Sequence, residues 1–165
     1  MRVRLFNLWS RLLVPEKPAR YLGIATLFDV PLSLAITGLI SLAPGSQNPT
    51  FPGYSLFTIA WVMCLAVPAV ETLILVAVVE LLRVIVRSFW GTVCLTALLA
   101  AVLHSLSTPL WGILIAWTFF VQSLAYLTWR SHGWWRAYGL TMAVHAIHNL
   151  TATALLAVQR AFTAT

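Results

Sequence analysis

The run SLFTIAWVMCLAVPAVETLILVAVVELLRVIVR, residues 55–87, contains no acidic or basic side chain other than Glu71, Glu80, Arg83 and Arg87. A helix rises 1.5 Å per residue and about 20 apolar residues cross the hydrocarbon core of a bilayer. This run therefore spans a membrane, with length left over to tilt or to bend at Pro68. Four further apolar stretches read the same way, at about 21–43, 90–105, 109–129 and 135–159. The segment APGSQNPTFPG (43–53), rich in glycine and proline, marks the loop after the first of them. The expected fold is all-α: a polytopic membrane helix bundle of about five transmembrane helices, in one membrane domain over 1–165.

Composition agrees. Of 165 residues 61% are hydrophobic and only 8% charged, where a soluble domain carries about a quarter charged. The net charge of +6 invites a nucleic-acid reading, but the basic residues form no patch. Arg2, Arg4, Arg11, Lys17 and Arg20 precede the first long apolar run, Arg83 and Arg87 close the second, and Arg130 and Arg136 flank a later turn. Cationic residues gathered in alternate loops are topology signals, and they place the N-terminus in the cytoplasm and the C-terminus outside. Trp90, Trp129, Trp134 and Trp135 are expected at the same ends as an aromatic belt. The expected setting is a bacterial inner membrane, with the lipid bilayer and not nucleic acid as the general partner.

The first 20 residues, MRVRLFNLWSRLLVPEKPAR, have their apolar run broken by Arg11 and lack a small-residue cleavage site. They read as an amphipathic interfacial segment with Phe6, Trp9 and Leu13 on one side. Cys64 and Cys94 lie in apolar runs without a CxxC spacing and read as packing residues.

Within the spans, strongly polar residues are few: Asp29, Glu71, Glu80, His104, His145, His148 and Asn149. The segment VHAIHNLTAT (144–153) carries three of them in five positions. Polar groups at bilayer depth are costly and mark functional sites by default. Counted from the cytoplasmic ends, Glu71 lies about 24 Å deep, His104 about 21 Å, His145 about 15 Å and Asn149 about 21 Å. Three helices thus place polar groups in one layer, where they are expected to face one another. His145 and Asn149, four apart, share a helix face. His148 is turned about 60° from His145, and either lines the same cavity or packs against a neighbour. Glu80 is expected to pair with Arg83 at i+3, and Asp29 to serve the backbone groups that Pro31 leaves open. A carboxylate and imidazoles in a dry cavity suit general-base activation of water, with neutral donors facing the developing oxyanion. The same residues also suit a polar knot that locks helices together.

The order and spacing of three segments carry a resemblance. VPAVETLILV (67–76), LLAAVLHSLS (98–107) and GWWRAYGLTMAVHAIHNL (133–150) resemble the three motifs of the CAAX-protease and bacteriocin-processing family of intramembrane peptidases, the CPBP or Abi group. Those motifs are Glu-Glu-x-x-x-Arg, Phe-x-x-x-His and His-x-x-x-Asn or Asp. The stretch LAYLTWRSHGWW (124–135) resembles the family's turn before its last catalytic helix, and the likeness covers a core of about 55–160. It implies Glu71 as general base, His104 as a partner for the water, and His145 with Asn149 as oxyanion stabilisers. The substrate it implies is a membrane-associated peptide or protein. Glu71, His104 and His145 would be the ligands if a divalent metal such as zinc is bound, although nothing in the sequence requires one. The sequence departs from the family at Thr72, in place of the second glutamate, at Val76, in place of the arginine, and at Ala100, in place of the phenylalanine. A catalytically silent member, serving as a membrane subunit or immunity-type binding partner, is therefore the rival reading. A haem or quinone site on His104 with His145 or His148 is a third, and it leaves Glu71 and Asn149 without a role.

Overall fold

A computed structural model describes residues 9–15, 17–43, 51–106 and 108–163. The expected spans are all helical. Helix α1 runs Pro18–Ser41, α2 Leu56–Trp61, α3 Val67–Val86, α4 Phe89–Ser105, α5 Trp111–Trp129 and α6 Trp134–Thr163. A π-helical turn, Val62–Ala66, joins α2 to α3 into one continuous rod, and a 3-10 turn, Arg130–His132, joins α5 to α6. No strand occurs among the described residues. Four of these rods, Pro18–Ser41, Leu56–Val86, Trp111–His132 and Trp134–Phe162, are long and apolar enough to cross a membrane. The remaining expected span is the 17-residue helix α4. At 1.5 Å per residue it covers about 26 Å, a little less than the hydrocarbon thickness.

Burial is turned inside out relative to a water-soluble bundle. Leu73, Ile74, Leu81, Val84 and Ile85 of α3 are exposed, while Asp29, Ser33, Thr72, Thr118, Gln122, His145 and Asn149 are buried. Lipid takes the place of water around such a surface, and the polar groups must find partners inside. Helix α5 is the hub. It contacts α1, α3, α4 and α6, and 56% of its span is buried against 22–28% in the other three rods.

Helices α4 and α5 form a tight hairpin because of Gly112. A Cβ there would stand 2.7 Å from the Ala101 carbonyl oxygen and collide with Ser105 Oγ. At one end of the bundle, Glu80 accepts from the Tyr126 hydroxyl at 2.6 Å, from Arg83 at 2.7 Å and from Arg130 Nε. The expected Arg83 pair is thus one arm of a knot that ties α3 to the end of α5. At the opposite end, Arg160 donates to the carbonyls of Tyr54 and Phe51, at 3.0 and 2.8 Å, and pins the start of the second rod to α6.

Three local expectations change. In the N-terminal segment Leu12, not Leu13, is the buried residue: Leu12 is fully buried and Leu13 is 38% exposed. The Leu12 carbonyl accepts from Tyr21 and Thr128, so the segment is drawn beneath α1 and α5, and Trp9 stacks on Trp90 and Phe120. Phe6 lies outside the described residues. Trp129 belongs to the core and not to a belt: it is 4% exposed and meets Tyr21 edge to face, whereas Trp135 is 74% exposed. Both cysteines are free, and Cys94 faces outward instead of packing.

Candidate active site

Glu71 opens the second turn of α3 and His145 lies midway along α6. Their side chains meet, with Glu71 Oε2 3.5 Å from His145 Nε2. The imidazole is almost wholly enclosed, its side chain 4% exposed, while the glutamate stands at the rim at 36%. The other imidazole nitrogen, Nδ1, lies 3.5 Å from the Thr72 hydroxyl. A carboxylate only accepts, so Nε2 carries the ring proton toward Glu71 and Nδ1 accepts from Thr72. Thr72 thus stands against one ring nitrogen and Glu71 against the other. Both 3.5 Å distances exceed the usual hydrogen-bond length of about 2.9 Å, the loose spacing that catalytic contacts show before a substrate tightens them.

His104 shares an aromatic neighbour with this pair. Its Nδ1 donates to the Ala100 carbonyl at 2.8 Å, and its ring packs on Phe119, which also meets His145, at centroid distances of 5.7 and 6.1 Å. The aromatic ring against His104 thus comes from α5, and the small Ala100, one turn before His104, is buried.

Asn149 is engaged elsewhere. Its Nδ2 donates to the Met63 carbonyl at 2.7 Å, and the reason lies in the π turn. The Val67 N–H reaches back five residues to Val62, so it is lost to Met63, and the next donor in that register would be residue 68, a proline without an N–H. Met63 is left with no donor in its own helix, and Asn149 supplies one. Cys64 Sγ lies 3.8 Å from the Thr153 hydroxyl one turn further along α6. The carboxamide expected at an oxyanion is thus the clasp of the π turn.

His148 points the other way, to Asp29 of α1. Its Nδ1 lies 3.0 Å from Asp29 Oδ2, Ser33 donates to Oδ1 at 3.2 Å, and Ser33 Oγ meets Thr118 Oγ1 at 3.4 Å. Asp29 is fully buried. This second acid–imidazole pair was missed as a pair because it joins the first span to the last. The signal was present all the same, in an aspartate and a histidine each unmatched in an apolar run. Asp29 therefore serves His148 and not the backbone near Pro31.

The metal option does not fit this arrangement. Among the described residues no three His, Cys, Asp or Glu side chains are disposed to hold an ion, so Glu71, His104 and His145 do not form a ligand set. Comparisons with family models, with curated proteins and with solved structures give no match to this chain.

Proposed function

We propose that the protein is an intramembrane peptidase of the CPBP type that hydrolyses a peptide bond in a membrane-associated peptide or protein. The observation that carries the reading is the Glu71–His145 contact, a half-open carboxylate against an enclosed imidazole. A water at Glu71 gives its proton to the carboxylate as its oxygen adds to the scissile carbonyl carbon. Once Glu71 holds that proton it no longer needs the Nε2–H of His145, which turns to the oxygen that gains charge. The proton held on Glu71 then passes to the leaving nitrogen as the C–N bond breaks. His104 provides a second imidazole beside the acid, and the rim position of Glu71 gives a lipid-borne peptide a way in.

The proposed orientation puts the N-terminus in the cytoplasm of a bacterial cell, with the protein in its inner membrane. Its support is the clustering at one end of Lys17, Arg83, Arg87, Arg130 and Arg136, which flank helix ends that meet there.

The test is cleavage by the purified chain in liposomes, offered a library of membrane-anchored peptides and read by mass spectrometry. Products from wild type that disappear with Glu71→Gln and with His145→Ala, both still inserted, support the proposal. Products that persist in both variants end it. One observation favours the rival reading of a silent binding subunit: Asn149 is spent on Met63. In that case wild type yields no product, and Glu71→Gln leaves any partner association unchanged.

A further inference from the structure

A cleft of about 450 Å³ opens where α3 ends, α4 begins and α5 ends, lined by Arg83, Arg87, Ser88, Thr92, Arg130 and two apolar side chains, Phe89 and Leu127, among others. Three features of it stand out. The first is Arg87, which ends α3 in the left-handed region at φ 54°, a common way for a helix to stop but one filled mostly by glycine, since it costs an ordinary residue about 1–2 kcal/mol. Among the described residues no hydrogen bond or ion pair of Arg87 offsets that cost, whereas Arg83 and Arg130 both hold Glu80. The second is Thr92, 1% exposed, whose hydroxyl finds no partner among the described residues. A helical threonine normally returns its hydroxyl to the carbonyl one turn back, as Thr96 does to Thr92 at 2.9 Å. The third is the pairing of this cationic and hydroxyl lining with an apolar wall.

We infer that this cleft binds the phosphate of an anionic phospholipid, with Arg87, Arg83 and Arg130 around the headgroup, Thr92 donating from the floor, and Phe89 and Leu127 against the first carbons of an acyl chain. Three guanidiniums with one carboxylate between them leave an excess of two positive charges, one of which a phosphodiester offsets. The positive end of the α4 dipole adds to the same field. Guanidinium groups form the strong charge-assisted hydrogen bonds that phosphate oxygens accept. The strain at Arg87 places its side chain at a junction of three helices where a glycine would contribute nothing. Free phosphate offers the same oxygens but no chain, and Phe89 and Leu127 favour the lipid.

Native mass spectrometry of the full chain, released from neutral detergent after incubation with phosphatidylglycerol or phosphatidylcholine, tests this. Wild type is expected to retain phosphatidylglycerol over phosphatidylcholine. Arg87→Gln should weaken retention about tenfold, the effect of one charge-assisted hydrogen bond. Thr92→Val, isosteric and buried, should weaken it roughly threefold, the effect of one neutral hydrogen bond. Diffuse surface attraction would respond to Arg87→Gln and not to Thr92→Val, so an unchanged Thr92→Val overturns the site. Equal retention of the two lipids overturns it as well. Displacement of phosphatidylglycerol by millimolar inorganic phosphate, with the phosphate itself retained in an Arg87-dependent way, overturns the lipid as occupant and assigns the cleft to phosphate from solution.

Discussion

Glu71 with His145 and Asp29 with His148 both join a carboxylate from an earlier helix to an imidazole on α6, three residues apart on that helix. Asp29 is closed off: it is fully buried, with one oxygen on His148 at 3.0 Å and the other on Ser33 at 3.2 Å. Glu71 is open, a third exposed and 3.5 Å from its imidazole. A carboxylate whose oxygens are both satisfied inside the bundle braces α1 against α6. One that is loosely held at the rim can still take a proton. Side chains of the same chemistry are thus set to different tasks by how fully their hydrogen bonds are met.

That contrast is easiest to break at Glu71. Glu71→Gln should lower the proposed hydrolysis by about 10²–10⁴-fold, the contribution of a positioned general base, and leave the thermal midpoint in detergent near that of wild type. Asp29→Ala should do the reverse. Removing Asp29 leaves His148 and Ser33 inside the bundle without their partner, at about 1–3 kcal/mol for each polar group left unmet, so the midpoint in a denaturation series should fall steeply, and a midpoint within error of wild type would show that the pair braces nothing. Asn149→Ala should destabilise by about 1–3 kcal/mol, because it leaves the Met63 carbonyl without a donor inside a membrane span. Pro68→Ala in the same chain restores an N–H at the right register, and partial recovery of the melting midpoint in the double variant is expected; no recovery would refute the clasp. The smallest effect belongs to Thr72→Val, which frees the His145 tautomer and should slow hydrolysis roughly threefold to tenfold with stability nearly unchanged. Equal rates for Thr72→Val and wild type would show that the hydroxyl does not set the ring.

The helices were legible because hydropathy alone bounds them. The stretch expected at 109–129 is found at Trp111–Trp129, and that at 135–159 at Trp134–Thr163. The layer of polar groups was legible too, and Glu71 does meet His145. Partner choice was not. Asn149 shares a face with His145, yet its partner is a main-chain carbonyl that becomes available only when a π turn and a proline coincide. His148 differs from His145 by about 60° on the helix, and that rotation alone sends it to α1 instead of α3. At the N-terminus an amphipathic pattern selects a face, but Leu12 or Leu13 is chosen by whichever carbonyl Tyr21 and Thr128 can reach. In each case the deciding contact joins residues far apart in the chain, which no local pattern encodes.

The five-residue turn at Val62–Ala66 has a geometric consequence for everything beyond it. A π turn is equivalent to one additional residue in an α-helix, so it advances the following rod by about 100° around its own axis. Deleting a single residue there, Cys64 for instance, would restore the ordinary pitch and swing Glu71 a quarter-turn or more relative to Leu56–Trp61, which Arg160 anchors from the far end. Which way the acid faces is thus fixed by a miscount in the winding, held in place by one side-chain amide.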